Sequence, residues 1–157
     1  MTKAIAEGFH SVTPMIMFKN AQKAIEFYKR ALGAVERFSM PGPDGKGVMH
    51  AEIMIGNSII MMSEENPQNP CTSAETAGGS PVSFYIYTEA VDEAFRRAVE
   101  AGAKIKMSVQ DMFWGDRAGT VEDPFGYSWM LATHTKDLTD REIEEGAKAF
   151  FVQMGKK

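Results

Sequence analysis

The chain contains one cysteine, Cys71, so no internal disulfide is available to staple its fold. It also lacks an apolar run long enough to cross a bilayer, since the most apolar stretch, Ala51 to Met62, is broken by Glu52, Gly56, Asn57 and Ser58. Positive charge is not in excess. Lys and Arg number 17 against 21 Asp and Glu, for a net charge of -4, and they are scattered, so no concentrated positive field exists to neutralise nucleic-acid phosphates. The first ten residues show neither a basic start leading into an apolar stretch nor a cleavage site. These absences predict no nucleic-acid partner, no membrane association and a cytoplasmic location. Gly-x-Ser-x-Gly, the phosphate-binding glycine loop, paired cysteines and His-Glu-x-x-His are missing too, which excludes the chemistries those motifs support.

What is present suits one globular unit, or two small halves sharing a core. The chain has 157 residues, 44% hydrophobic and 24% charged, enough apolar material to bury a core without a push toward disorder. From Val12 to Phe18 the pattern predicts a strand, with Thr13, Met15 and Met17 on one face and Pro14, Ile16 and Phe18 on the other. Asn20 is placed to cap a helix whose apolar stripe is Ala21, Ala24, Ile25, Tyr28, Ala31 and Leu32 and whose end is marked by Gly33. A short strand from Ala34 to Met40 and a turn-rich Pro41-Gly42-Pro43-Asp44-Gly45 follow. Two strands, Val48 to Ile55 and Ser58 to Ser63, then flank the hairpin signal Gly56-Asn57.

The same order begins again after Ser80. Gly33-Ala34 and Gly102-Ala103 close the two helices 69 positions apart. The second copy has a strand Val82 to Tyr87 and a helix carrying Ala90, Val91, Ala94, Phe95, Ala98 and Val99. Strands at Lys104 to Val109, Arg117 to Glu122 and Tyr127 to His134 complete it. The expected fold class is therefore α+β: module one at about 11–64, a linker at 65–80 holding Cys71, and module two at about 81–135. A terminal helix at 139–154 opens with the capping box Thr139-Asp140-Arg141-Glu142. Its aromatic face (Ile143, Ala147, Phe150, Phe151, Met154) must be buried against the sheets or a partner subunit.

Few residues offer chemistry. His50 and Glu52 stand at strand spacing on one face and could hold a small polar ligand, a metal or simply each other. Val48 and Met54 share that face, while Met49, Ala51, Ile53 and Ile55 form the more apolar side suited to pack under the helices. Twelve methionines suit an adaptable apolar cavity or soft core packing. In Trp114-Gly115-Asp116-Arg117, an aromatic side chain beside a fixed cation suggests a pocket lid, or else a structural corner.

Taken together, several segments resemble the vicinal oxygen chelate (glyoxalase/bleomycin resistance/dioxygenase) superfamily, in particular its PhnB-like branch. They are Ala24-Ile25-Glu26-Phe27-Tyr28 leading to Leu32-Gly33-Ala34, Asp44-Gly45-Lys46 before Met49-His50-Ala51-Glu52, the Trp114 to Arg117 corner, and Asp123-Pro124-Phe125-Gly126-Tyr127 with Trp129. The resemblance covers about Val12 to His134. It implies paired βαβββ modules forming an incomplete eight-stranded barrel around a cavity, commonly completed in a homodimer. It places the superfamily's metal-ligand positions at Thr13, Met61, Ser83 and Met130, none of them a good ligand for Zn, Ni, Fe or Mn.

The resulting expectation is a homodimer that binds a small, partly apolar molecule, with no metal, no cofactor and no assigned catalytic residue. Thr13, Met15, Met17, Met61, Ser83 and Tyr85 would line the cavity together with Ser128 and Met130, while His50, Glu52, Trp114 and Arg117 would supply polarity and a lid. The alternative is a metal-dependent lyase, isomerase or oxygenase using His50 and Glu52, which needs a third ligand from His10 or His134.

Overall fold

The computed structural model describes residues 2–156. Its elements run β1 (Met15–Phe18), α1 (Ala21–Leu32), β2 (Val35–Met40), β3 (His50–Ile55), β4 (Ser58–Glu64), α2 (Ala74–Ala77), β5 (Ser83–Tyr87), α3 (Val91–Glu100), β6 (Lys104–Asp111), β7 (Asp116–Glu122), β8 (Ser128–His134) and α4 (Asp140–Met154). Two mixed sheets result, ordered β1-β4-β3-β2 and β5-β8-β7-β6. In each, the first strand lies parallel to the last while the remaining pairs are antiparallel. The architecture is the expected α+β pair of βαβββ modules, and the eight strands stay open.

The local signals explain the elements. Asn20 caps α1 by accepting a hydrogen bond from the Lys23 amide (2.9 Å), and Gly33 ends it in the left-handed region at φ 65°. Between them α1 buries Ala21, Ala24, Ile25, Phe27, Tyr28, Ala31 and Leu32. On β3 the alternation holds: Ala51, Ile53 and Ile55 are buried while His50, Glu52 and Met54 are half-buried on the other face. The helices α1 and α3 pack on one another. One core consequently runs through both modules, with Phe18, Tyr28, Phe125, Tyr127 and Trp129 in edge-to-face contact at its centre.

Buried Asp123 is the polar joint of this core. Its carboxylate accepts from the Tyr28 hydroxyl of module one (2.6 Å), the Trp129 indole (2.8 Å) and the Phe125 and Tyr127 amides (2.9 Å each). Burial pushes the Asp123 carboxyl up from its ordinary range, and these four donors oppose that shift. A second tie is the Tyr127 hydroxyl, which donates to the Met17 carbonyl (2.6 Å) and accepts from the Ala74 amide (3.1 Å).

The structure corrects several expectations. The first strand begins at Met15 rather than Val12, so Thr13 precedes it, its hydroxyl turned to the His10 carbonyl at 3.4 Å. The 65–80 linker also carries local structure: Ser73 caps α2, and Ser73 and Ala74 are buried where Tyr127 reaches them. Val48 is buried and Met49 is exposed, the reverse of the predicted phase, because the pairing slips by one residue ahead of β3: the Glu64 amide donates to the Val48 carbonyl (2.9 Å) where the β3–β4 register would place Met49. Finally, α4 has its capping box but buries no residue. Phe150 and Phe151 meet only the Phe113 ring among the described aromatic rings outside the helix, at 5.5 and 6.5 Å.

Candidate functional site on the open sheet faces

The helices cover one side of the sheets and leave the other open. On the first sheet, strand register brings Met15, Met61, Glu52 and Phe38 into one row across all four strands, with His50 beside Met40 in the next. Met15 and Phe38, on the two edge strands, are 52% and 48% exposed. Both ends of this face are walled. At one end Gly8 passes over buried Ile59, where a Cβ would stand 3.3 Å from the Ile59 Cδ1. At the other, Asn69 approaches the Met17 sulfur at 3.9 Å, and Met17, expected to line the cavity, is buried beneath the 65–80 segment.

The polar centre of this face differs from expectation in its cation. Glu52 lies 3.5 Å from the His50 Nε2 and 3.5 Å from the Arg37 guanidinium, which also sits over the Phe9 ring at 5.7 Å. Arg37 reaches Glu52 because the β2–β3 register shifts between Glu36 and Phe38, a bulge that no simple alternation reveals. Arg117, the cation expected from sequence, sits on the other face of its strand. There it pairs with Asp92 of α3 (2.7 and 2.8 Å) and with Asp111 (3.2 Å), and is removed from the site.

The second sheet's open face holds Ser83, Tyr85 and Tyr87 of β5 in register with Ser128, Met130 and Ala132 of β8. Its anchor is Asp116, which is 2% exposed. Oδ2 accepts from the hydroxyls of Tyr85 (2.6 Å) and Tyr87 (3.0 Å) and from the Trp114 indole (3.1 Å), while Oδ1 meets the His134 Nδ1 at 2.8 Å. His134 Nε2 in turn faces Asp137 at 3.0 Å. Burial alone pushes the Asp116 carboxyl up, but the bonds from Tyr85, His134, Tyr87 and Trp114 outweigh it and hold it below the usual carboxylate range. His134 is raised by its bonds to Asp116 and Asp137. Tyr85 and Tyr87 are both raised, by burial first and by Asp116 second. Trp114 and Asp116 thus belong to a fixed corner, His134 joins it as a partner of Asp116 rather than of His50 and Glu52, and Tyr87 joins without having been singled out. The available signal for Tyr87 was its position two residues from Tyr85 on a strand.

A cavity of about 370 Å³ opens between the segment leading into β1 and the edge of β5, with His10, Thr13, Ile59, Tyr85 and Tyr87 among its walls. That volume lies within the range of small-molecule sites. Of the expected lining residues, Thr13 and Tyr85 reach it. Met15, His50, Glu52, Met61, Ser128 and Met130 instead stand on the open faces around it.

These donors do not fit a divalent metal. Opposite Met61 stands Met15, two residues beyond Thr13, and opposite Met130 stands Tyr85; thioethers suit soft ions and neutral phenols are poor ligands for Zn, Ni, Mn or Fe. Among the described residues no group of three or more His, Cys, Asp or Glu is placed to hold a metal ion. Neither spare imidazole joins His50 and Glu52, because His134 is tied to Asp116 and Asp137 on the second sheet and His10 lines the 370 Å³ cavity. No described helix is long and apolar enough to cross a membrane.

Comparison with known proteins agrees with this geometry. Residues 8–131 match the family model described as Glyoxalase/Bleomycin resistance protein/Dioxygenase superfamily. An uncharacterized protein of Mycobacterium bovis is 36% identical over 137 residues, spanning 85% of this chain and 90% of the relative. A solved Arabidopsis thaliana gene product is 27% identical with a TM-score of 0.64, covering 79% of this chain and 98% of that one. The PhnB protein from Bacillus cereus shares the fold at 19% identity and a TM-score of 0.61, covering 79% and 99%. The matched residues stop short of α4.

Proposed function

Because this chain belongs to the Glyoxalase/Bleomycin resistance protein/Dioxygenase superfamily, we propose that it acts as a PhnB-like cytoplasmic protein binding a small, partly apolar molecule on its open sheet faces without a metal, as a homodimer. The fold alone decides little, since it hosts unrelated functions. The observation that carries the reading is the pairing of Met15 with Met61 and of Tyr85 with Met130 between the first and last strands of the two modules, soft and nearly non-ligating side chains. The Arg37, His50 and Glu52 cluster supplies the few convergent polar groups that orient a ligand in an apolar site. A second copy is the natural cover for faces that leave Met15, Phe38, Tyr85 and Tyr87 between 43% and 64% exposed.

Light scattering and elemental analysis test this together, on protein purified without chelator or affinity metal. The expected species is twice the 17.3 kDa chain, with less than stoichiometric metal and an interface of about 2,000 Å². A stable monomer at micromolar concentration, or one equivalent of Zn, Ni, Mn or Fe, refutes it. His50→Ala is expected to weaken ligand binding by about 1 to 3 kcal/mol while the fold survives, because His50 is half-buried at a sheet face.

A further inference from the structure

The terminal helix α4 is seated on one side and bare on another. Its root is fixed: the Thr135 and Lys136 amides and the Thr135 hydroxyl all donate to the Gly115 carbonyl at 2.8 to 3.0 Å, and a Cβ on Gly146 would stand 3.1 Å from the Phe113 Cβ. The helix therefore lies against the Phe113 corner of the second sheet. It nonetheless buries no residue, and Phe151, Val152 and Met154 are 58% to 63% exposed. A helix of this length is only marginally stable alone in water, so a capped helix with a bare apolar end lacks a packing partner. Residues three, four and seven apart share a side, which puts Glu144, Ala147 and Met154 in line with Phe151. Acid heads this stripe and apolar side chains end it. Arg141 and Glu145 bond to each other at 2.9 Å, whereas exposed Glu144 has no ion pair among the described residues.

We infer that α4 lies across the open face of the first sheet of a second copy, so that two identical contacts join the homodimer and Phe151 of the partner subunit becomes a wall of the small-molecule site. The inference rests on the homodimer proposed above and names the element that forms it. On that face Met15, Val35 and Phe38 are 48% to 56% exposed, which suits the apolar end of the α4 stripe. Its cation is Arg37, 35% exposed and no closer than 3.5 Å to Glu52, which suits Glu144. The open face of the second sheet is the wrong match, because Asp116 and Asp137 around His134 make a net negative cluster that repels Glu144. Area decides against the simpler pairing of α4 with α4. At about 200 Å² for a large side chain, the three helix residues and three sheet residues leave roughly 600 Å² bare per contact. Twofold symmetry doubles this to roughly 1,200 Å², where stable interfaces begin, whereas two helices packed together cover about half as much.

Sedimentation velocity of the full chain over a concentration series tests the contact, with circular dichroism to check that each variant folds. Glu144→Arg and Arg37→Glu are each expected to raise the dimer dissociation constant about tenfold, because a reversed charge then faces its like twice per dimer. Combining them is expected to restore the constant to within about threefold of wild type, a recovery that a change in helix stability or in the Arg37 bonds within one subunit does not produce. Phe151→Ser, at an exposed position, is expected to raise the constant about a hundredfold, since an aromatic anchor is lost from each of two contacts. Charge reversals that change nothing or are not rescued in the double variant, or a dissociation constant that Phe151→Ser leaves alone, overturn the inference, and the homodimer then rests on another face. A wild-type chain that stays at 17.3 kDa at micromolar concentration removes both the contact and the homodimer.

Discussion

Asp123→Asn isolates the joint that holds the two modules, and thereby the two open faces, in one frame. In the native chain Oδ1 takes the Phe125 and Tyr127 amides while Oδ2 takes Tyr28 and Trp129. An asparagine keeps one oxygen for the backbone pair and turns its NH₂ toward the other two. Tyr28 can adapt, since a hydroxyl rotates from donor to acceptor. Trp129 cannot, because its indole is a donor only and its side chain is 1% exposed. The substitution therefore loses two charge-assisted bonds and strands one buried N–H, a cost of about 1.5 to 3 kcal/mol for each bond to a charged group, partly offset by removing a carboxylate that burial already disfavours. The net expectation is about 3 kcal/mol, read as a fall of about 6 to 12 °C in melting temperature for a chain of this size. Urea denaturation followed by circular dichroism measures it directly. Tyr28→Phe is expected to cost about 1 to 2 kcal/mol, and the double variant less than the sum by about 1 kcal/mol, because both remove the same bond. A loss under 0.5 kcal/mol for Asp123→Asn, or strict additivity with Tyr28→Phe, would show that the Asp123 bonds contribute little to holding the modules together.

Gly115→Ala is expected to destabilise by about 2 kcal/mol or more in the same assay, since its φ is 97° and a Cβ there would meet the Lys136 carbonyl at 2.3 Å. His134 has a raised pKa, so its contribution to stability is fully present below about pH 6.5 and lost as pH rises through its folded value. Asp116, being lowered, contributes above about pH 3.9 and loses that contribution as pH falls through its folded value. A melting-temperature series in pH is expected to decline for wild type as pH rises above about 6.5 and to flatten there for His134→Gln; an unchanged slope counts against the pair. EDTA is expected to leave the melting temperature unaltered, because no metal-linked folding energy is available from methionine, serine and threonine side chains. Truncation after Leu138 is expected to cost the isolated subunit little, as α4 buries no residue, and a large loss of stability at concentrations where only monomer is present would contradict this.

The repeated module was legible in the sequence because its signals are local. A cap at Asn20, a left-handed glycine at Gly33, a two-residue turn at Gly56-Asn57 and period-two alternation along β3 each depend on neighbours within one turn or one strand. The same locality placed His50 and Glu52 on one face. Tertiary structure decided what depends on distance. A bulge at Arg37 chose which cation stands beside Glu52, and the choice of strand face sent Arg117 to Asp92 instead. The 65–80 segment, without periodicity of its own, became the cover for Met17 because Tyr127 lies beneath it, 53 positions from Ala74. Asp116 gathered Tyr85, Tyr87, Trp114 and His134 from two strands and a corner. A single residue's pattern cannot announce such a junction. Its stability comes from desolvated hydrogen bonds that exist only once the strands are paired, and nothing in the spacing of the partners along the chain is periodic.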